Sequence, residues 1–251
     1  MDHFISVSGL SLKFRLYHDK RGSLKQSFAS LLRKRATRQH TEFWALRNID
    51  LRVGDGDRLG IIGPNGAGKS SLLKTICRIY KPAAGEVRIS GTIAPLLEVG
   101  AGFHPELTGR ENILLNGIIL GQHPARMAEL EEEIIEFSGL DEFIDTPVKY
   151  YSTGMYMKLA FTVATSIRAD ILVLDEMFSG GDAAFVERGM ERLRRLIDEA
   201  RIIVCVSHQL HFLESLCNRV VLMEHGEIVA DGTPDRVIPL YEQRARAQKT
   251  T

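Results

Sequence analysis

The sequence predicts an α/β protein, with helices packed on a mostly parallel sheet and a helical insertion dividing it. Three observations carry this. Ile171-Leu172-Val173-Leu174 and Ile202-Ile203-Val204-Cys205-Val206 are continuous, β-rich apolar runs, the pattern of strands buried on both faces. Between them, residues 184–200 place Phe185, Met190, Leu193, Leu196 and Ile197 at helical spacing. Residues 105–166 read as mostly helical, punctuated by Pro105, Gly121, Pro124, Gly139 and Pro147. The 251 residues are 44% hydrophobic, which suits a single domain with a sizeable core.

Along the chain, residues 4–17 read as extended. Residues 20–38 set Leu24, Phe28, Leu31 and Leu32 at helical spacing among Lys20, Arg21, Lys25, Arg33, Lys34, Arg35 and Arg38. This is a basic amphipathic helix, either a solvated surface helix or one that meets a membrane surface or a partner. Residues 43–62 hold further strands, with a turn at Gly54-Asp55-Gly56-Asp57. The last of them, Arg58–Ile62, leads into Gly63-Pro64-Asn65-Gly66-Ala67-Gly68-Lys69-Ser70, and Ser71–Cys77 continues with helical periodicity. A strand, a glycine-rich turn and a helix N-terminus form an anion trap, because backbone N–H groups and the helix dipole converge on one point. Gly66 and Gly68 let the backbone approach phosphate oxygens. Lys69 would reach the β- and γ-phosphates, and the Ser70 hydroxyl would ligate Mg²⁺.

Short strands are expected at Val87–Ile89 and Ile93–Leu97, around Gly91. The Ile171 run ends in Asp175-Glu176, at the strand edge where α/β sheets place ligands. Asp175 would hold Mg²⁺ and Glu176 would polarise the attacking water. The Ile202 run continues through Ser207 to His208, which the same edge places near the γ-phosphate; His104 reads as loop surface. Arg219–Met223 and Glu227–Ala230 flank His225-Gly226 as a hairpin. Residues 241–251 read as a polar, frayed tail.

Equal numbers of basic and acidic residues, 32 each, give no argument for nucleic acid. The N-terminus lacks the pattern of a signal peptide, and no apolar run approaches the roughly 20 residues that span a bilayer. Cys77, Cys205 and Cys217 are dispersed in apolar or helical contexts and read as buried thiols of a reducing compartment.

The segment Tyr151-Ser152-Thr153-Gly154-Met155-Tyr156-Met157-Lys158-Leu159-Ala160-Phe161 resembles the LSGGQ signature motif of ABC-transporter ATPases, with Tyr151, Thr153 and Met155 replacing the generic Leu, Gly and Gln. The Tyr-Ser-Thr-Gly-Met pattern looks like the branch that exports O-antigen, capsule and teichoic acid. Leu96 to Asn112 and Gly181-Asp182-Ala183-Ala184-Phe185 agree with that branch. The resemblance runs from about residue 43 to about residue 232.

The resemblance implies a P-loop NTPase core over residues 1–240, with an N-terminal antiparallel β-subdomain and the helical subdomain at 105–166. It implies ATP and Mg²⁺ as ligands, the ATP contacted by Gly63 to Ser71, with Glu98 at the position usually held by a glutamine near Mg²⁺ and the water. Lys69, Glu176 and His208 would be catalytic. An aromatic ring would stack on adenine, either Phe14 or Tyr17, with Tyr17 favoured. Two copies would close head to tail, so that Ser152, Thr153, Gly154 and Asp182 act on the nucleotide held by the other copy. A homodimer would thus work with a separate transmembrane permease at the cytoplasmic face of the membrane, as a peripheral subunit exporting a lipid-linked polysaccharide; no nucleic acid partner is implied. The basic segment at 20–38 would lie near anionic headgroups or polymer phosphates. The stretch from the hairpin to Thr251 is too short for the glycan-binding β-sandwich some members carry, so none is expected. Export of a drug or lipid, and a soluble ATPase outside transport, are the competing readings.

Overall fold

The computed structural model describes residues 2–17, 40–97, 99–175 and 182–249. The expected basic helix at 20–38 lies outside them, as do Glu98, Glu176 and the side chain of Tyr17. Two sheets organise the described residues. The first is antiparallel, ordered β2-β1-β4, from β1 (Phe4–Tyr17), β2 (His40–Gly54) and β4 (Ala84–Ser90). The second has six strands, ordered β5-β6-β7-β3-β8-β9. Its members are β3 (Arg58–Ile62), β5 (Ile93–Leu96), β6 (Ile171–Asp175), β7 (Ile202–Val206), β8 (Arg219–Glu224) and β9 (Glu227–Gly232). All its pairs are parallel except β8–β9, the expected hairpin.

In β1 the buried residues are Ile5 and Val7, then Leu10 and Leu12. The alternation slips by one residue at Gly9, where the register shifts and φ is +55°. A bulge of this kind keeps one apolar face toward the core along a strand too long for strict alternation.

The parallel strands are buried on both faces, and their alternation sorts them between two cores. Leu59, Ile61, Ile171, Val173, Ile202, Val204, Val206, Val221 and Met223 face the antiparallel sheet and α1 (Lys69–Ile76). Ile62, Leu172, Leu174, Ile203, Cys205, Val220 and Leu222 face the opposite side. There they meet α5 (Ala183–Glu199), α6 (Leu210–Leu216) and α7 (Pro234–Lys249). Covering both faces is why these strands read as unbroken apolar runs rather than alternating ones.

The insertion folds as α2 (Gly109–Ile119), α3 (Pro124–Ser138) and α4 (Thr153–Thr165), with two short 3₁₀ turns between α3 and α4. Local chemistry sets its ends. Thr108 and Glu111 form a reciprocal capping box at α2, Pro124 opens α3 behind His123, and Gly139 closes α3 in the left-handed region. Ile113, Met127, Ile134, Ile135, Leu159 and Val163 make its own small core.

The structure departs from the sequence reading at two ends. The segment from 241, expected as a frayed tail, is helical to Lys249. Val237 and Ile238 are buried and Leu240 and Tyr241 pack on the sheet, so the start of α7 is anchored and its polar remainder propagates from there. The strand at 93–97 ends one residue early, at Leu96.

Candidate functional site

Strand register builds the site. Ile61 of β3 pairs with Val206 of β7, which pairs with Asp175 of β6. The exits of the three strands are therefore level, and Gly63, Ser207 and Asp175 emerge along one edge. Neighbouring strands lie about 4.8 Å apart, which puts Asp175 about 10 Å from the β3 exit.

At this edge the chain turns through Gly63 (φ +148°), Gly66 (φ +79°) and Gly68 (φ +102°) into α1. A Cβ at Gly63 would sit 2.1 Å from the Met223 carbonyl oxygen, and one at Gly68 2.6 Å from that of Ala45. Glycine is thus required by crowding as well as by φ at both positions. The turn is held from outside by the hairpin: Gly226 N–H donates to the Ala67 carbonyl at 3.0 Å, and Arg47 N–H to the Gly226 carbonyl at 2.8 Å.

Helix α1 begins without a side-chain cap and without an acidic residue in its first turn. Its leading N–H groups face a cavity of about 380 Å³ lined by Asn65 to Ser71, Val206, His208, Phe14, Phe43 and Ala45. Lys69 is buried, and its ammonium donates to the carbonyls of Gly63 (2.8 Å) and Pro64 (3.1 Å), so it arches back over the loop. An uncapped helix N-terminus beside a preorganised cation suits a polyphosphate. Ser70 is exposed at the same helix start, and Asp175 ends the strand two positions away. A hydroxyl and a carboxylate are the oxygen donors that a phosphate-bound Mg²⁺ takes.

The sequence-derived residues fall into two groups. The cavity gathers Asn65, Gly66, Ala67, Gly68, Lys69, Ser70, Ser71 and His208, and Gly63 and Pro64 are tied to it as the carbonyl acceptors of Lys69. Ser152, Thr153, Gly154 and Asp182 do not line it. Ser152 caps α4, its hydroxyl accepting from Met155 N–H at 3.2 Å. Ser152 and Thr153 are exposed, and a Cβ on Gly154 would meet nothing nearer than the Ser152 hydroxyl at 3.9 Å. This second helix N-terminus stands open to solvent. Asp182 caps α5 by accepting from Phe185 N–H at 2.9 Å, and it pairs with Lys158 of α4. The Lys158 ammonium, then the Phe185 N–H, hold its carboxyl down at about 2.

The ABC transporter family model matches residues 46–179, from β2 through the glycine-rich loop and α4 to just past β6. The chain belongs to the ABC transporter family. It is 37% identical over 243 residues to the O-antigen export system ATP-binding protein RfbB of Klebsiella pneumoniae, covering 97% of this chain and 99% of that protein. To the RfbB protein of Myxococcus xanthus it is 45% identical over 210 residues, covering 84% of this chain but only 48% of that relative. To the teichoic acids export ATP-binding protein TagH of Lactococcus lactis it is 38% identical over 239 residues, covering 95% of this chain and 50% of that protein. The chain thus spans about half the length of the last two. Among solved structures, an ATP binding subunit of an ABC transporter superposes with a TM-score of 0.66 at 22% identity, covering 95% of this chain and 93% of that one. The ATP-binding cassette MJ0796, a dimer in a post-hydrolysis state with ADP and Pi, gives 0.64 at 19%, covering 92% and 98%. At these identities the likeness is one of fold.

Two features of this cavity were missed in the sequence. Phe43 pairs in register with Phe14, is 51% exposed and lines the cavity. Phe14 also lines the cavity, but its ring is engaged edge-on with Tyr80 at 5.3 Å. The available signal was an aromatic run, Phe43-Trp44, on β2. The other feature is Gly226, whose bond to Ala67 no local pattern announces.

Proposed function

We propose that this chain is the ATP-hydrolysing, Mg²⁺-dependent subunit of a polysaccharide exporter. It would act as a homodimer at the cytoplasmic face of the membrane and drive a lipid-linked O-antigen or capsule-type polymer through a separate transmembrane subunit. One observation supports the mechanism: α1 starts uncapped at the cavity, while the exposed start of α4 does not line it. The exposed N-terminus of α4 is suited to the γ-phosphate held by a second copy.

In this reading Lys69 and the N–H groups of α1 bind the β- and γ-phosphates, and Phe43 or Phe14 offers a face to adenine. Ser70 and Asp175 would hold Mg²⁺, with Glu98 nearby; the ion would neutralise charge building on the transferring phosphoryl group. Glu176 would take the proton of the attacking water, and His208 would donate to the γ-phosphate oxygen. Ser152, Thr153 and Gly154 of the other copy would complete the enclosure, and Asp182 would sit at the seam.

The names of the relatives support the cargo, since O-antigen and teichoic acid exporters recur among them. Among the described residues no helix is long and apolar enough to cross a membrane, so the reading assigns translocation to a partner. An apolar groove of about 450 Å³ between the sheet edge and α2, with Ile79 and Ile119 exposed, suits a segment of that membrane subunit. Replacing Lys69 with Ala removes the phosphate-binding cation. The variant should abolish surface polymer and leave its lipid-linked precursor inside the cell; surface polymer at wild-type level would refute the transport reading.

A further inference from the structure

A second polar cavity, of about 430 Å³, shares no residue with the one at Lys69. Helix α3 of the insertion walls it with Arg126 and Glu133, and α5 with Arg192, Arg195 and Glu199. The chain leaving α4 adds Arg168. Four guanidiniums thus face two carboxylates, and the lining is net positive.

Arg192 is the fixed member. Its side chain is only 14% exposed, and its guanidinium lies over the Phe137 ring at 4.5 Å. Nε donates to the Thr165 carbonyl at 3.3 Å, and Nη2 donates to Glu133 Oε1 and to the Ser166 hydroxyl, both at 2.8 Å. These bonds set the plane of the guanidinium and leave Nη1 without a bond among the described residues. Burial lowers the pKa of Arg192 against the pull of Glu133, and the Arg195 charge lowers it further. The cavity is therefore short of negative charge at the one guanidinium that is held in place.

The other three arginines are tied only by exposed pairs: Arg126 to Glu129, Arg195 to Glu191 at 3.4 Å, and Arg168 to Glu199 at 3.8 Å. Such pairs contribute little, so an incoming anion can take these side chains over. Capping the end of α4 explains the Nε bond of Arg192. It gives no reason for Arg168 and Arg195 to border the same cavity.

The two carboxylates select the kind of anion. Bare phosphate would be repelled by Glu133 and Glu199. A molecule with a phosphate at one end and hydroxyls at the other satisfies both sets: guanidiniums donate to phosphate oxygens, and carboxylates accept from hydroxyls. We propose that this cavity binds a phosphorylated monosaccharide, with its phosphate held by Arg168, Arg192 and Arg195 and its hydroxyls by Glu133 and Glu199. The ligand bridges α3 of the insertion to α5 on the sheet. Its binding needs neither a second copy nor the phosphate loop.

The test is isothermal titration calorimetry of the full chain with glucose-1-phosphate, inorganic phosphate and glucose. Glucose-1-phosphate should bind with a sub-millimolar Kd, inorganic phosphate at least about ten-fold more weakly, and glucose not at all. Arg168→Ala and Arg195→Ala alter exposed side chains and leave Arg192 in place; each should weaken glucose-1-phosphate about ten-fold. Glu199→Gln should weaken it about five-fold without weakening inorganic phosphate. Lys69→Ala should keep its Kd within about two-fold, because the phosphate loop is elsewhere. No saturable binding of glucose-1-phosphate up to about 10 mM would overturn the proposal. So would affinity lost in Lys69→Ala but kept in Arg195→Ala, which would assign the binding to the phosphate loop. Inorganic phosphate binding as tightly as the sugar phosphate would overturn the role of the carboxylates and, with it, the sugar.

Discussion

Burial sets the chemistry of Cys77 at the end of α1, pushing its thiol up to about 12 from 9.0. Only the thiolate is an effective nucleophile, so at pH 8 the reactive fraction is about 1000-fold below that of a free thiol. The sign for stability follows. The folded chain keeps this proton up to about pH 12, while the unfolded chain releases it from about pH 9. The contribution to stability is therefore complete below pH 9 and declines as pH rises through that window. Brief iodoacetamide treatment at pH 8 should leave Cys77 unmodified in the native protein and modify it fully in denaturant, read by peptide mass spectrometry. Rapid native alkylation would show that the half-buried thiol is not held protonated by its surroundings. Cys205 and Cys217 lie with sulfurs 3.4 Å apart, and that hydrogen bond together with burial drives the Cys205 thiol well upward. The expectation of buried thiols holds for Cys205 and Cys217, whereas Cys77 is half-buried at the edge of the groove beside α2.

At the scale of elements, α5 and α4 meet through aromatic rings. Phe185 is fully buried, with Phe161 and Phe137 each at 5.8 Å in edge-on geometry. Gly189 lets α5 approach: a Cβ there would stand 3.1 Å from the Phe161 ring. Phe185→Ala should cost about 3–5 kcal/mol, measured by denaturant unfolding, because the gap lies between rigid helices that cannot close on it. A loss under about 1 kcal/mol would mean that α4 and α5 are not locked together. The apolar members of α5 were legible from spacing alone, as were β6, β7 and the glycine-rich loop, since their chemistry is written in consecutive residues. What escaped depended on pairing at a distance. That Phe43 joins Phe14 at the cavity follows from the β1–β2 register, which pairs the two, with its shifts between Val7 and Lys13. Gly226 supports Ala67 across more than 150 residues of chain. The helix through 241 is stabilised by Val237 and Ile238 under the sheet, while its own later residues carry no apolar stripe to announce it.

For the whole molecule, the decisive arrangement is that the N-terminus of α1 opens on the cavity while the exposed N-terminus of α4 lies outside it. In the proposed reading the cavity around Lys69 would hold the nucleotide and leave part of it open to a second copy. The N-terminus of α4, capped by Ser152 and exposed, has no partner of its own in that cavity. In the proposed head-to-tail dimer each open helix would meet the other copy's nucleotide, so ATP would be part of the interface and its hydrolysis would remove the bridge. Glu176→Gln keeps the shape and polarity of the side chain and removes only the base for the water. Binding groups are untouched, so the bridge should form and persist. With ATP and Mg²⁺ in excess, this variant should elute as a dimer in size-exclusion chromatography, returning to a monomer when ATP is omitted. Adding Ser152→Ala in the same background removes the α4 cap and its hydroxyl but nothing from the cavity. That double variant should bind ATP with unchanged affinity and require at least about ten-fold more of it to dimerise. A Glu176→Gln protein that stays monomeric at saturating ATP would refute the head-to-tail dimer, because the cavity would then be a complete site. A dimer indifferent to Ser152→Ala would place the second anion contact somewhere other than α4.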